Sequence, residues 1–301
     1  MYRPLALATL LVAAACNSRP HDVKSVATST PTVTPPTPVV VAPTPAPAPV
    51  SFATAESTFK AKDYKTAADQ FDGYTTTHPT NPWGFYMLGL SAWKAGDLSR
   101  AQHAFETSLT LDPRQVKTLV NLSRVLLASD HPDSALARAK DAAAIDSQSA
   151  DAWRVIGRAQ STLGQTDSAL DAFRTAISID PRDRWAMNDM GLLLINAGRY
   201  NEAIGPLAMA VQIDSMSPVF ENNLGLALER CGHLTSAATA YERALTVDST
   251  YIKAQVSFDR VKDAAVDADS EPVDLAAFRD AFSHEIEQWK STRNLAEVTP
   301  Q

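Results

Sequence analysis

The chain has 301 residues, 45% apolar and 20% charged, and a formal net charge of −7. That acidity argues against wrapping nucleic acid or lying on an anionic membrane surface, both of which need a basic face. Two cysteines, Cys16 and Cys231, are too few for a disulfide framework or a clustered zinc site.

Met1–Ala15 reads as an export signal. One basic residue, Arg3, precedes an apolar run from Leu5 to Ala15 broken only by Thr9. The run is too short to span a bilayer and suits the hydrophobic region of a signal peptide. Ala13-Ala14-Ala15 then meets Cys16, and two readings fit. The arrangement resembles a bacterial lipobox, in which the signal is cut before the cysteine and Cys16 receives lipid. Ordinary secretory cleavage after an Ala-x-Ala site would instead leave Cys16 free. Lipidation would supply membrane affinity at about 0.8 kcal/mol per buried methylene. Asn17, not Asp, follows the cysteine. By resemblance to enterobacterial lipoproteins this implies the cell envelope, at the outer membrane facing the periplasm.

Residues 16–47 read as a disordered Pro/Thr-rich tether. Pro31, Pro35, Pro36, Pro38, Pro43, Pro45 and Pro47 recur too often for a helix and deny a sheet its donors. Extended polyproline II, at about 3.1 Å per residue, would let the stretch reach roughly 90 Å.

From Ala48 the composition turns to Ala, Leu and charged residues, and the sequence repeats every 34 positions. The units are 48–81, 82–115, 116–149, 150–183, 184–217 and 218–251. Position 8 is small each time: Ala55, Gly89, Ser123, Gly157, Gly191 and Gly225. Position 20 is alanine each time: Ala67, Ala101, Ala135, Ala169, Ala203 and Ala237. Position 24 is Phe71, Phe105, Ala139, Phe173, Leu207 and Tyr241, and Pro or Ser stands at position 32. Each unit is expected to be two helices of about fourteen residues. They are joined at Gly96-Asp97, Gly164-Gln165, Gly198-Arg199 and Gly232-His233, where glycine can adopt a left-handed C-cap. The small position 8 and the alanine at position 20 are expected to face each other where the helices cross. Repeat three departs most, with Ser123, Pro132, Ala139 and Ser147, and a looser or slightly bent junction is expected there.

Residues 252–290 are expected to hold a polar capping helix to about Val266 and an amphipathic helix carrying Leu275, Phe278, Phe282, Ile286 and Trp289, with 291–301 as a tail. The second helix would seal the last repeat, or else lie in the groove of the solenoid or dock to a partner.

No pattern points to catalysis. The six histidines do not cluster, and His284-Glu285 lacks a second histidine because Gln288 stands there. There is no phosphate-binding glycine loop and no nucleophile elbow. The chain is therefore expected to be no enzyme, to hold no metal or cofactor, and to bind no nucleic acid.

The 34-residue pattern resembles the tetratricopeptide repeat (TPR) family. The resemblance implies an all-α, right-handed α-solenoid of six helical hairpins plus C-terminal capping helices. It also implies a non-catalytic scaffold that binds a protein or extended peptide in a concave groove. Bacterial TPR lipoproteins are similar, including the pilotin-type proteins of type IV pilus secretins, which also carry six repeats. That likeness covers the lipobox and the repeat count, not the tether or the final helix. An accessory role beside an envelope enzyme of peptidoglycan synthesis or hydrolysis is the other reading.

In the family the groove is built mainly from positions 2, 5, 6, 9 and 12. Here these give aromatic residues at one end, Phe52, Phe59, Trp83, Tyr86 and Trp93, and Asn121, Arg124, Arg154 and Arg158 in the middle. The far end holds Trp185, Asn188, Asp189, Asn222 and Asn223. Asparagines can hold a peptide backbone and arginines can fork a carboxylate. Arg154 and Arg158, one helical turn apart, repel each other, which suggests a bound anion. It would be an extended acidic or carboxylate-bearing segment of a partner, lying across repeats three and four and held by Arg124, Arg154 and Arg158. Neither is expected to be core, so reversing both charges should leave the fold intact. The family's carboxylate-clamp residues for chaperone tails are not met.

Overall fold

The computed structural model describes residues 50–267 and 272–298. The expected signal, Cys16 and the tether lie outside the described residues. Within them the chain forms fourteen helices and no strand. Six hairpins come first: α1 (Phe52–Lys60) with α2 (Tyr64–Thr77), α3 (Pro82–Lys94) with α4 (Leu98–Leu111), and α5 (Val116–Ala128) with α6 (Pro132–Ile145). They continue as α7 (Ala150–Thr162) with α8 (Thr166–Ile179), α9 (Arg184–Asn196) with α10 (Tyr200–Ile213), and α11 (Pro218–Arg230) with α12 (Leu234–Val247). Then follow α13 (Ile252–Asp267) and α14 (Leu275–Val298).

Local chemistry sets the boundaries. Asn81, Ser149, Asp183 and Ser217 each stand just before a first helix and accept backbone N–H groups of its first turn, as good N-caps do. Between the two helices of every hairpin, position 15 takes a left-handed conformation. Four of the six are glycines, and the other two are Lys62 (φ 66°) and Asp130 (φ 60°), where a side chain makes the conformation costlier.

The closest contact inside four of the hairpins involves the large residue at position 24. A Cβ built on Gly89 would lie 2.7 Å from the Phe105 ring, and one on Gly157 would lie 2.6 Å from Phe173. On Gly191 it would lie 2.4 Å from Leu207, and on Gly225 2.6 Å from Tyr241. In these four hairpins the nearest neighbour of position 8 is therefore the large residue at position 24. All six position-20 alanines are nevertheless fully buried. Repeat three obeys the same rule inverted, because Ser123 adds a side chain at position 8 where Ala139 has no ring. Both are fully buried, the Ser123 hydroxyl donates to the Leu119 carbonyl at 2.8 Å, and α5 and α6 keep the lengths of the other hairpins.

Successive first helices touch one another from α1 through α13, whereas successive second helices do not. The first helices therefore crowd the inside of a curve and the second helices splay along its outside. Outer grooves of about 470 and 460 Å³ lie beside α8 and α4.

The C-terminal segment departs from expectation. α13 packs on α11 and α12 as a seventh first helix would, fastened by two hydrogen bonds of 2.7 Å from Arg260 to Glu229. α14 neither seals the last repeat nor enters the groove; it packs on α10 and α8, across the outer gap between two second helices. Phe282 and Ile286 are buried in the largest core cluster, with Leu275, Phe278 and Trp289 packed against it. Gly205 makes room, since a Cβ there would come within 3.1 Å of the Phe282 Cβ and 3.3 Å of the Phe278 carbonyl oxygen. The helix also continues past residue 290 to Val298, because no Pro or Gly stands in its way, so the expected tail is mostly helical.

Gly157→Ala should destabilise the fold by about 1–3 kcal/mol, the usual cost of overpacking. Combined with Phe173→Ala in a denaturant double-mutant cycle, it should cost much less, because the ring it strikes is gone. Additive effects would mean that the two positions do not touch.

Candidate partner-binding groove

The sequence places the expected groove residues on first helices, and the structure joins most of them into one polar line. Asn121 donates from Nδ2 to the Tyr86 hydroxyl at 3.2 Å and accepts on Oδ1 from Arg124 Nη1 at 3.0 Å. Arg124 Nη2 donates to Asp151 Oδ1 at 2.6 Å, and the same oxygen accepts from Arg154. Arg154 Nη1 also donates to Asp183 Oδ1 at 2.9 Å. That oxygen caps α9 by accepting the Trp185 and Ala186 N–H groups at 3.1 and 3.0 Å. Further on, Asn223 donates to Asn188 Oδ1 at 2.9 Å, and Asn222 donates to Asn223 at 3.4 Å.

This arrangement changes the reading of the arginines. Asp151, Asp183 and Asp189 supply one negative charge for each of Arg124, Arg154 and Arg158, so the repulsion between Arg154 and Arg158 needs no bound anion to explain it. Arg154 and Asp183 expose only 15% and 8% of their side chains. Burial pulls the Arg124 guanidinium below its ordinary value, with Asp151 opposing and Arg154 adding to it. Burial likewise pushes the Asp189 carboxyl up, against the pull of Arg158 and Arg154. Arg158 differs: its side chain is 51% exposed and its Nε lies 3.9 Å from Asp189, beyond hydrogen-bond reach.

Asn121, Asn188, Asn222 and Tyr86 are buried. Asn121, Tyr86 and Asn188 bond between neighbouring first helices, whereas Asn222 bonds only Asn223 on its own helix and its Oδ1 has no partner. Trp83 remains 43% exposed and stacks on Tyr86 at 4.5 Å. Phe52 packs edge-on to Phe71 and Tyr74. Trp93, Arg124 and Arg158 come together around a notch of about 220 Å³ between repeats two, three and four, with Thr162 beside them. A second hollow of about 200 Å³ continues past Arg158 to Asp189 and Asn196. Sequence reasoning missed Asp151 and Asp183. Their repeat positions, 2 and 34, were the available signal, since each lies one turn or one repeat from an arginine.

The paired and half-exposed arginines should respond differently to substitution. Arg154→Met leaves Asp183 buried without its partner and should cost about 3 kcal/mol or more. Arg158→Met, at an exposed weak pair, should change stability by less than about 1 kcal/mol. Urea denaturation of the two variants checks both, and equal effects would refute the distinction.

Comparison with known proteins agrees with this architecture. Tetratricopeptide repeat family models match residues 92–159, 155–218 and 222–251, together more than half of the chain. No curated protein sequence matches it. Among solved structures, PilW, a widely conserved type IV pilus biogenesis factor, is 15% identical with a TM-score of 0.62, over 68% of this chain and 94% of PilW. A tetratricopeptide repeat protein from Parabacteroides merdae is 13% identical with a TM-score of 0.59, over 70% and 82% of the two chains. TTC0263, a thermophilic TPR protein of Thermus thermophilus, is 21% identical with a TM-score of 0.54, over 60% and 99%. At these identities the likeness is one of fold. The register, the hairpins and the matched family together establish that the chain belongs to the tetratricopeptide repeat family.

Proposed function

We propose that the chain is an exported scaffold that binds an extended acidic segment of an envelope protein across the notch between repeats two and four. In this reading Cys16 carries lipid and the Pro/Thr-rich stretch holds the solenoid off the membrane. The notch is the observation that supports it most. Arg158 is half-exposed and only loosely paired, and it stands beside Arg124 and the Trp93 ring. A carboxylate entering there would gain charge-assisted hydrogen bonds, and the indole would cover an apolar neighbour in the same segment. Arg154, Asn121 and Asn188 would act from beneath, keeping the arginines and the helix spacing in place. A pilotin-like assembly role and a place beside an envelope enzyme use the same groove, and the partner's identity separates them.

Crosslinking from native envelopes, followed by titration of the captured partner, tests the notch. Arg158→Glu should weaken binding about tenfold and flatten its salt dependence, without loss of helical circular dichroism. Unchanged affinity would move the contact to the exposed stack of Trp83 on Tyr86.

The anchor is tested separately. Cys16→Ala should shift the protein from the membrane to the soluble fraction in high salt, and retention on membranes would reject lipidation.

A further inference from the structure

The outer groove between the fifth and sixth hairpins has an anomalous floor. Position 4 of the repeat is Phe85, Leu119, Trp153 and Met187 in repeats two to five, and Glu221 in repeat six. Leu119 and Met187 are core residues, and Glu221 is buried to the same degree, with 3% exposure. Its Oε2 has no hydrogen-bond partner. Burial pushes its carboxyl above the usual range, with the Arg243 charge opposing. A buried carboxylate without a partner is costly. A charged group standing where repeats two to five carry an apolar side chain, with Ser51 in repeat one, is a local inconsistency that often marks function.

Glu221 lines a cavity of about 430 Å³ between α10, α11 and α12, closed on one side by the start of α14. Arg243 from α12 and Arg279 from α14 line the same cavity, with Leu224, Val247 and Leu275 as apolar wall. Its size falls within the about 300–1,000 Å³ range of small-molecule sites. The two other outer grooves contain no buried carboxylate among their lining residues.

We infer that this cavity is a binding site for a small zwitterion, an apolar α-amino acid or dipeptide, with its ammonium on Glu221 and its carboxylate on Arg243 and Arg279. The two charges demand opposite ends on one molecule. A simple cation would face the guanidinium groups, and a simple anion would face the buried carboxylate. The leucine and valine walls between them fit an aliphatic side chain. The site is separate from the inner notch and does not depend on a protein partner. Because α14 contributes Arg279 and Leu275, occupancy would also fasten that helix to the last two hairpins.

Calorimetric titration of the full chain in detergent with L-leucine and with leucyl-leucine distinguishes the two sources. At least one should bind with a dissociation constant below about 1 mM. N-acetyl-L-leucine, which lacks the ammonium, and L-leucinamide, which lacks the carboxylate, should each bind at least about tenfold more weakly. Glu221→Met, which restores the side chain found at Met187, should raise the melting temperature of the unliganded protein and abolish binding. Arg279→Ala should leave the unliganded melt nearly unchanged and weaken binding about tenfold. The inference fails if neither probe binds at 10 mM or if the blocked analogues bind as well as their parents. It fails equally if Glu221→Met lowers the melting temperature, which would make the carboxylate a structural residue.

Discussion

Most of the hairpins rest on one contact in which there is no room for a Cβ. In four of the six hairpins a glycine on the first helix lies against a ring or a leucine on the second, at distances no real Cβ tolerates. That approach brings the two helices close enough to bury the position-20 alanines completely. It also fixes how each pair leans. With the lean repeated every 34 residues, first helices touch their successors and second helices do not. A curved solenoid follows, crowded inside and gapped outside. Both candidate sites are consequences of that asymmetry, the notch on the crowded face and the Glu221 cavity in a gap.

The inner face is organised by charge balance. Asp151 accepts from arginines of two adjacent repeats, and Asp183 ties Arg154 to the N-terminus of α9. These links hold neighbouring first helices at fixed spacing. A groove fixed in this way spends less of a ligand's binding free energy on ordering itself. The same balance leaves little unpaired charge to meet a partner, which is why the half-exposed Arg158 matters more than its fully bonded neighbours.

What the sequence disclosed follows physical range. Hairpin existence and register were legible because they depend on local periodicity and on glycine at four of the turns, repeated with no slip from Ala48 to Tyr251. That position 24 comes closest to position 8 was not, since spacing shows which residues are small but not which neighbour presses hardest on them. The Ser123 and Ala139 exchange in repeat three held that answer in plain view. For the arginines, helical phase put them on the right face, but their aspartate partners had to be found in space. They come from the preceding turn, or from the start of the next first helix or farther along it. The apolar stripe of α14 was legible and its destination was not, because a stripe fits any unfilled gap. Gly205 was the missed signal: the corresponding positions of the other repeats are Asp69, His103, Ala137, Asp171 and Thr239, and a glycine in a helix interior weakens it unless something must come close.

The two buried carboxylates at helix starts show that this fold does not tolerate such groups indifferently. Asp183 is as hidden as a core residue, yet it accepts from Arg154 and from two N–H groups at the positive end of α9, so its charge is met on every side. Glu221 lies in the first turn of α11, but the N–H of Phe220 is already taken by the Ser217 side chain, and one of its own oxygens meets nothing. The difference lies in which element faces each carboxylate. Asp183 looks back to the preceding first helix inside the curve, where Arg154 is within reach. Glu221 looks outward, into a gap between second helices, where the nearest cations line the cavity without contacting it. Filling that gap elsewhere took a whole helix, α14 between α8 and α10. Here the floor is charged and the roof is only the first turns of that same helix, a geometry suited to a guest small enough to leave and polar enough to be chosen.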